Sequence, residues 1–325
     1  MPTANAKATP LDPTRFHGAL LGLATGDALG TTVEFKPPGS FTPVTEMTGG
    51  GIFKLPAGAW TDDTSMALCL AESLIECGGF DPADQLQRYL RWWREGHNSS
   101  TGSCFDIGGS TRKALQRFEQ SGEPFPGDAD PGGGGNGPLM KLAPVAMAYA
   151  QQPEQAAEFA GQSARTTHGA PEAIDAARWF AVLLVGALSG VPKEELLGAS
   201  VYGCQLGPIN FDQLHPKIQA VAAGSYREKQ PPEIKGSGYS PPALGAALWA
   251  LYTTSSWEQG ALAAVNLGDD ADTTAAIYGQ LAGAIYGAEA IPERWLELLV
   301  MREEIEAVAG GLFELAQDLT SPADR

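Results

Sequence analysis

The sequence is poor in the residues that bind soft metals or cross-link a fold. It has four histidines and four cysteines in 325 residues, and Cys69, Cys77, Cys104 and Cys204 form no C-x-x-C pair. No histidines are paired at ligand spacing either, so neither a zinc site nor a disulfide framework is expected, and a reducing compartment is the simplest reading. Positive charge is also scarce. Lys and Arg number 21 against 38 Asp and Glu, which leaves a net charge of -17 and an isoelectric point near 4.6. No basic stripe interrupts this acidity, so a nucleic-acid partner is not expected, although a diphosphate could bind where cations neutralise it. Long apolar runs are missing as well. The most apolar, Trp179 to Leu188, falls short of the roughly 20 residues of a membrane span, and residues 1–10 lack the apolar core of a signal peptide. The expectation is a cytoplasmic protein with no membrane partner.

Glycine, by contrast, is plentiful: 40 residues, well above an ordinary share of about 7%. With 43% hydrophobic residues the chain can bury a large core. Helical patterning recurs almost everywhere. Asp81-Pro82 reads as an N-cap with proline at the first helical position, opening a helix toward Trp93. Helices are expected over Pro171 to Ser189, from Pro192, and over Pro242 to Tyr252, Trp257 to Leu267, Asp272 to Tyr286 and Pro292 to Val308. Strand signals are confined to Thr32–Phe35 and Pro43–Met47, both short and bounded by turns. An all-α domain over residues 14–325 follows, preceded by a flexible tail over 1–13. Two Gly/Pro-rich stretches, Gly122–Pro138 and Gly224–Pro242, are too long for ordinary connections and read as functional loops.

Two of these helices carry glycine every fourth residue: Gly18, Gly22, Gly26 and Gly30 in one, Gly279, Gly283 and Gly287 in the other. An interior glycine costs a helix about 1 kcal/mol against alanine. A smooth stripe therefore predicts close approach of neighbouring helix backbones; the alternative is coincidence in a Gly/Ala-rich chain.

Two acidic clusters stand at helix starts. Thr61-Asp62-Asp63-Thr64 precedes the periodic Met66, Leu70 and Leu74, a run closed by Gly78-Gly79, so Thr61 falls at an N-cap with both acids in the first turn. Asp269-Asp270-Ala271-Asp272-Thr273-Thr274 opens the second glycine-striped helix. Capping explains one acid at each start, since the helix dipole favours an anion there by about 0.3–1 kcal/mol. It does not explain adjacent acids flanked by threonines, twice. Aspartate and threonine oxygens without His or Cys suit a hard cation such as Mg²⁺ or Mn²⁺, and two such clusters brought together would make a two-metal site.

The pattern of these segments resembles the ADP-ribosylglycohydrolase family. The resemblance is carried by Gly18-Ala-Leu-Leu-Gly-Leu-Ala-Thr-Gly-Asp27-Ala-Leu-Gly with Glu34 beyond it, by Gly58-Ala-Trp60-Thr61-Asp62-Asp63-Thr64, by Gly238-Tyr239 and Ala246-Ala-Leu-Trp249, and by Val265-Asn-Leu-Gly268-Asp269-Asp270-Ala-Asp272-Thr273. They follow in family order from Phe16 to Gly287. The resemblance implies a single compact orthogonal helical bundle with a dinuclear metal site at helix N-termini, where Thr61, Asp62, Asp63, Asp270, Asp272 and Thr273 hold two Mg²⁺ or Mn²⁺ ions. One position departs from the pattern: the family has glycine where this chain has Asp269.

The resemblance extends to the surroundings. It makes Glu34, on spacing alone an ordinary loop acid, the carboxyl that approaches the substrate ribose or a metal. Asp27 is either a support for the metal ligands or a buried, hydrogen-bonded helix residue. Gly108, Gly109 and Ser110 before one helix, and Asn136 and Gly137 in the glycine run, correspond to loops that contact ADP-ribose; glycines before a helix also leave backbone N–H groups free for phosphate. Thr167-His168 resembles a family turn near the ligand, though a lone histidine is commonly structural. Tyr239 is either a stacking partner for adenine or ribose or an interior tyrosine. The implied activity is hydrolysis of the bond between ADP-ribose and an acceptor, with arginine on a protein favoured. Asp63 would orient or deprotonate the water, and Glu34 would assist the ribose or the leaving group. Another ADP-ribose linkage (serine, O-acetyl-ADP-ribose, a nucleobase), a phosphohydrolase and a non-enzymatic ADP-ribose binder are the rivals.

Overall fold

The computed structural model describes residues 10–130, 133–198 and 209–320. The expected tail over 1–13 lies largely outside them, as do Pro131, Gly132 and Cys204. Among the described residues the chain is all helical, with no strand. The order runs α1 (Pro13–Gly30), α2 (Asp62–Cys77), α3 (Pro82–Glu95), α4 (Gly109–Ser121), α5 (Gly137–Met140), α6 (Ala143–Ala148), α7 (Pro153–Arg165) and α8 (Pro171–Leu188). It continues through α9 (Lys193–Leu196), α10 (Pro216–Ala222), α11 (Ser240–Thr253), α12 (Trp257–Val265), α13 (Ala271–Tyr286), α14 (Glu293–Leu296) and α15 (Arg302–Asp318). No helix among the described residues is long and apolar enough to cross a membrane.

The glycine stripes meet each other. α1 and α13 run antiparallel, with Gly18 against Gly283, Gly22 against Gly279, Gly26 against Ala275 and Gly30 against Asp272. A Cβ at Gly283 would lie 1.8 Å from the carbonyl oxygen of Gly18, and one at Gly30 would lie 2.3 Å from Asp272 Cα. No side chain fits between these backbones, so the stripe is a contact and not a coincidence. Both helices are buried almost all round, as is α8 beside α13. Helices this apolar on every face belong at the centre of a bundle.

One expectation needs correction, and three others gain detail. The helix expected over Pro292 to Val308 is broken: Met301 adopts a left-handed conformation (φ 57°), separating α14 from α15. The break has a partner elsewhere. The Val300 N–H donates to Gly58 O at 3.0 Å, and Trp60 Nε1 donates to Val300 O at 3.0 Å, so the gap docks the approach to α2. The helix expected from Pro192 is the four-residue α9. Thr61 occupies the N-cap of α2 but makes no side-chain cap bond; the cap comes from another helix, as described below. Pro43–Met47, short and turn-bounded, is held by a side chain instead of a strand: Asn266 accepts from Val44 N at 2.7 Å and donates to Val44 O at 3.0 Å.

Candidate metal centre and active site

Asp27, near the end of α1, organises the first acidic cluster. Its Oδ1 accepts from Thr61 N and Thr61 Oγ1, both at 2.9 Å, and its Oδ2 accepts from Thr64 N at 3.0 Å and Thr64 Oγ1 at 2.7 Å. Four bonds thus cap α2 from outside and satisfy N–H groups that a helix start leaves free. Asp27 is therefore both of the things its sequence context allowed, buried within a helix and a support for the cluster. Burial pushes its carboxyl up to about 6, against those hydrogen bonds.

The packing of α1 on α13 brings the second cluster to the first. Thr61 Oγ1 lies 3.5 Å from Asp272 Oδ2, and Thr273 Oγ1 donates to Asp63 Oδ1 at 3.3 Å. Asp270, at the N-cap of α13, accepts from Asn136 Nδ2. Glu34 joins from the turn after α1: it is buried, and one carboxylate oxygen from each of Glu34, Asp270 and Asp272 lies within 4.8 Å of the others. Burial, and after it the neighbouring acids, drive Glu34, Asp62, Asp63 and Asp272 far above the ordinary carboxylate range.

These groups fit a hard cation. Glu34 Oε2, Asp63 Oδ2 and Asp272 Oδ1 are buried with no hydrogen-bond partner. An unpaired buried oxygen costs about 1–3 kcal/mol, and several facing one another would repel. A divalent cation with oxygen ligands would answer both penalties at once. Among the described residues no histidine or cysteine joins this group.

Above the acids is a cavity of about 240 Å³. Glu34, Asp62, Asp270, Asp272 and Thr273 line it together with Gly108, Gly109, Ser110, Asn136, Gly137 and His168. Thr61 and Asp63 lie behind this wall, fully buried. The two long loops build one side jointly: Asn136 N donates to Gly238 O at 3.1 Å, Ser240 N to Gly134 O at 2.9 Å and Ser240 Oγ to Gly135 O at 2.6 Å. The N-terminus of α4 also brings Gly109, Ser110 and Thr111 to the wall, where first-turn N–H groups suit an anion. Tyr239 is not on this wall. It lines a neighbouring cavity of about 350 Å³, where its hydroxyl donates to Glu172 Oε1 and accepts from Lys217 Nζ, both at 2.8 Å.

Two residues at the site escaped the sequence reading. Asp106 lines the cavity with a left-handed backbone (φ 59°) and an unpartnered buried Oδ2. Burial, then Asp62 and Asp27, push its carboxyl up to about 9. Its position two residues before the Gly108-Gly109 pair was the available hint. Lys141 is 1% exposed, and burial pulls it down to about 7 against the attraction of Asp62 and Asp63. Asp269 is explained by its backbone. Its φ is 51°, a conformation that favours glycine, and its N–H donates to Lys36 O at 2.8 Å while its carbonyl accepts from Phe35 N at 2.7 Å. That pairing ties the Glu34 turn to the second cluster.

Comparisons with known proteins agree with this architecture. The family model described as ADP-ribosylglycohydrolase matches residues 8–322. The chain is 42% identical over 302 residues to an ADP-ribosylarginine hydrolase Tri1 of Pseudomonas putida, covering 93% of this chain and 78% of that one. It is 32% identical to the ADP-ribosyl-[dinitrogen reductase] glycohydrolase of Rhodospirillum rubrum, covering 90% and 92%. A solved structure titled ADP-ribosylglycohydrolase-related protein complex superposes with a TM-score of 0.82 at 50% identity, over 94% of this chain and 98% of that one. With the match spanning nearly the whole chain, and with two acidic helix starts joined across α1 and α13, this protein belongs to the ADP-ribosylglycohydrolase family.

Proposed function

We propose that this protein hydrolyses the glycosidic bond between ADP-ribose and an arginine side chain of a modified protein, releasing ADP-ribose. The observation that carries the reading is the pair of acidic helix starts, with unpartnered oxygens, lying under a cavity whose other walls present backbone N–H groups. The arginine linkage rests on the 42% identical relative, which is an ADP-ribosylarginine hydrolase. Thr61, Asp62, Asp63, Asp270, Asp272 and Thr273 would hold two Mg²⁺ or Mn²⁺ ions, with Glu34 at the edge of the same group. When bound, such ions supply Lewis acidity that orients ribose hydroxyls and raises the acidity of water.

The chain's own residues supply the rest. Gly108, Gly109, Ser110, Asn136, Gly137 and His168 receive the ADP-ribose, with the diphosphate against the start of α4. Asp63 orients water from behind the wall, and Glu34 assists at the ribose. Tyr239, held by Glu172 and Lys217 in the neighbouring cavity, takes no part in this reading. A guanidine departs readily only when protonated, and Asp106 is a carboxyl on the cavity wall whose burial favours its protonated form. It is the proton donor in this reading. Free Cys69, Cys77 and Cys104 accord with a reducing, cytoplasmic setting.

The test is product identification. Proteins ADP-ribosylated on arginine or on serine are incubated with the enzyme plus Mg²⁺, Mn²⁺ or chelator. Free ADP-ribose released from arginine only with metal is expected. Release of AMP would make the protein a phosphohydrolase, and cleavage of serine but not arginine would move the acceptor.

A further inference from the structure

A fully buried lysine without a carboxylate partner needs an explanation, because lysine is almost never buried unless paired. Lys141 makes no ion pair within 4 Å among the described residues. Its Nζ donates to Thr167 Oγ1 at 3.4 Å, lies 3.9 Å from Met66 Sδ and sits 5.0 Å from the centre of the Tyr89 ring. Thr167, itself fully buried, passes the contact on: its Oγ1 is 2.9 Å from His168 Nδ1. The far side of that imidazole faces the cavity. A Cβ at Gly135 would lie 2.9 Å from His168 Nε2, and one at Gly137 would lie 2.7 Å from Cε1, so the ring is packed flat against the glycine loop.

Donor counting fixes the protons along this chain. While it carries its charge, the Lys141 ammonium only donates, and a threonine hydroxyl has one proton. Thr167 Oγ1 therefore accepts from Lys141, and its own proton has one acceptor within reach, Nδ1 of His168. We propose that Lys141 is a positioning residue which, through Thr167, fixes His168 as the tautomer with its proton on Nε2, so that the cavity presents a neutral hydrogen-bond donor to an anionic ligand oxygen. Burial, and then Lys141 itself, hold the imidazole down to about 3, so it stays neutral, and the tautomer decides whether the site gains a donor or an acceptor. A ring with a lone pair on Nε2 would repel a phosphate oxygen. That the anion is the diphosphate of ADP-ribose rests on the function proposed above; the tautomer does not.

The experiment reads the two separately. In the full-length protein with 15N-labelled histidine, two-bond 1H–15N correlation spectra report which ring nitrogen carries the proton, with His168 assigned by its loss in His168→Asn. Protonated Nε2 and bare Nδ1 are expected in wild type and in Lys141→Arg at pH 5 to 6, where Lys141 carries its proton. Lys141→Met frees Thr167 to accept as well as donate, so it should mix the two His168 tautomers and weaken binding of free ADP-ribose by up to about tenfold, the size of one hydrogen bond to a charged group. Thr167→Val, which puts a methyl against Nδ1, should keep the proton on Nε2, and the wild-type spectrum alone still tests the proposal if Lys141→Met does not fold. A wild-type proton on Nδ1, or a tautomer unchanged in Lys141→Met, would overturn the relay. Wild-type protein with the expected tautomer but no affinity for ADP-ribose would leave the relay standing and remove its proposed ligand.

Discussion

Asp27 is the residue on which the first cluster depends, and its substitution separates assembly of the site from its chemistry. Asp27→Asn keeps one acceptor oxygen and turns the other into a donor facing Thr64 N and Oγ1, so a buried bond is lost and a donor left unpaired. A loss of about 1–3 kcal/mol is expected, measured as a lower Tm without metal. Asp272→Ala behaves oppositely: it removes one of several mutually repelling acids, so the metal-free protein should keep or gain stability while turnover disappears. Turnover within about tenfold of wild type would remove Asp272 from the site. Glu34→Gln should lower kcat far more than it weakens free ADP-ribose; because Glu34 groups with Asp270 and Asp272, metal titration should also show reduced affinity. The acids themselves were legible in the sequence because both clusters are local and sit at helix starts. The work of Asp27 was legible only as one of two alternatives, since it acts on Thr61 and Thr64 across a gap in the chain that only packing closes. Asp106 was hidden for a simpler reason: one aspartate in a loop has no pattern.

At the scale of elements, the antiparallel pair α1 and α13 sets the spacing between the clusters. Gly283→Ala adds a Cβ that would lie 1.8 Å from a backbone oxygen, and backbone cannot swing aside as a side chain can. The helices must separate, at an overpacking cost of about 1–3 kcal/mol. Gly245, within α11, offers the contrast, because a Cβ there meets only Val221 Cγ2 at 3.9 Å. Gly245→Ala should stabilise by about 0.5–1 kcal/mol. Thermal melts of the two variants should move in opposite directions; equal shifts would mean that the stripe does not bear on the contact. Most helices could be read from proline starts, glycine stops and apolar periodicity, as Asp81-Pro82 and Gly78-Gly79 illustrate. The break at Met301 could not. Nothing local stops that helix; it is interrupted because Val300 bonds to Gly58 and Trp60 elsewhere in the chain.

For the whole molecule, the net charge of -17 is partly concentrated inside, and that makes stability depend on pH. Asp62, Asp63, Asp272 and Glu34 have folded pKa values raised above their unfolded ones. Such groups favour the fold below the unfolded values, near pH 4, and that contribution is lost as pH rises through the folded values. His168 works in the other sense: its folded value of about 3 lies below the ordinary 6.5, so its contribution is lost on acidification. Bound metal reverses the sign for the ligating acids by depressing their folded values, giving stability above the unfolded range that is lost in acid. The difference between melts with metal and with chelator cancels the share of His168 at each pH. It should be large near pH 7 and small near pH 4. A difference that does not change with pH would argue against a site made of these carboxylates.

The pairing of Gly18 with Gly283 also has a consequence in time. The first described helix finds its main partner some 260 residues later, so a chain emerging from the ribosome cannot bring the two acidic clusters together until α13 is out. Cations cannot template the early steps, because half of their ligands are not yet in place. Closing so long a loop comes late, and interactions absent from the folding transition state act on unfolding alone. Mg²⁺ or Mn²⁺ should therefore slow unfolding in proportion to the stability it adds and leave the refolding rate constant unchanged. Stopped-flow traces at several metal concentrations would show it: a refolding rate that climbs with metal would mean that the clusters meet before the barrier is crossed.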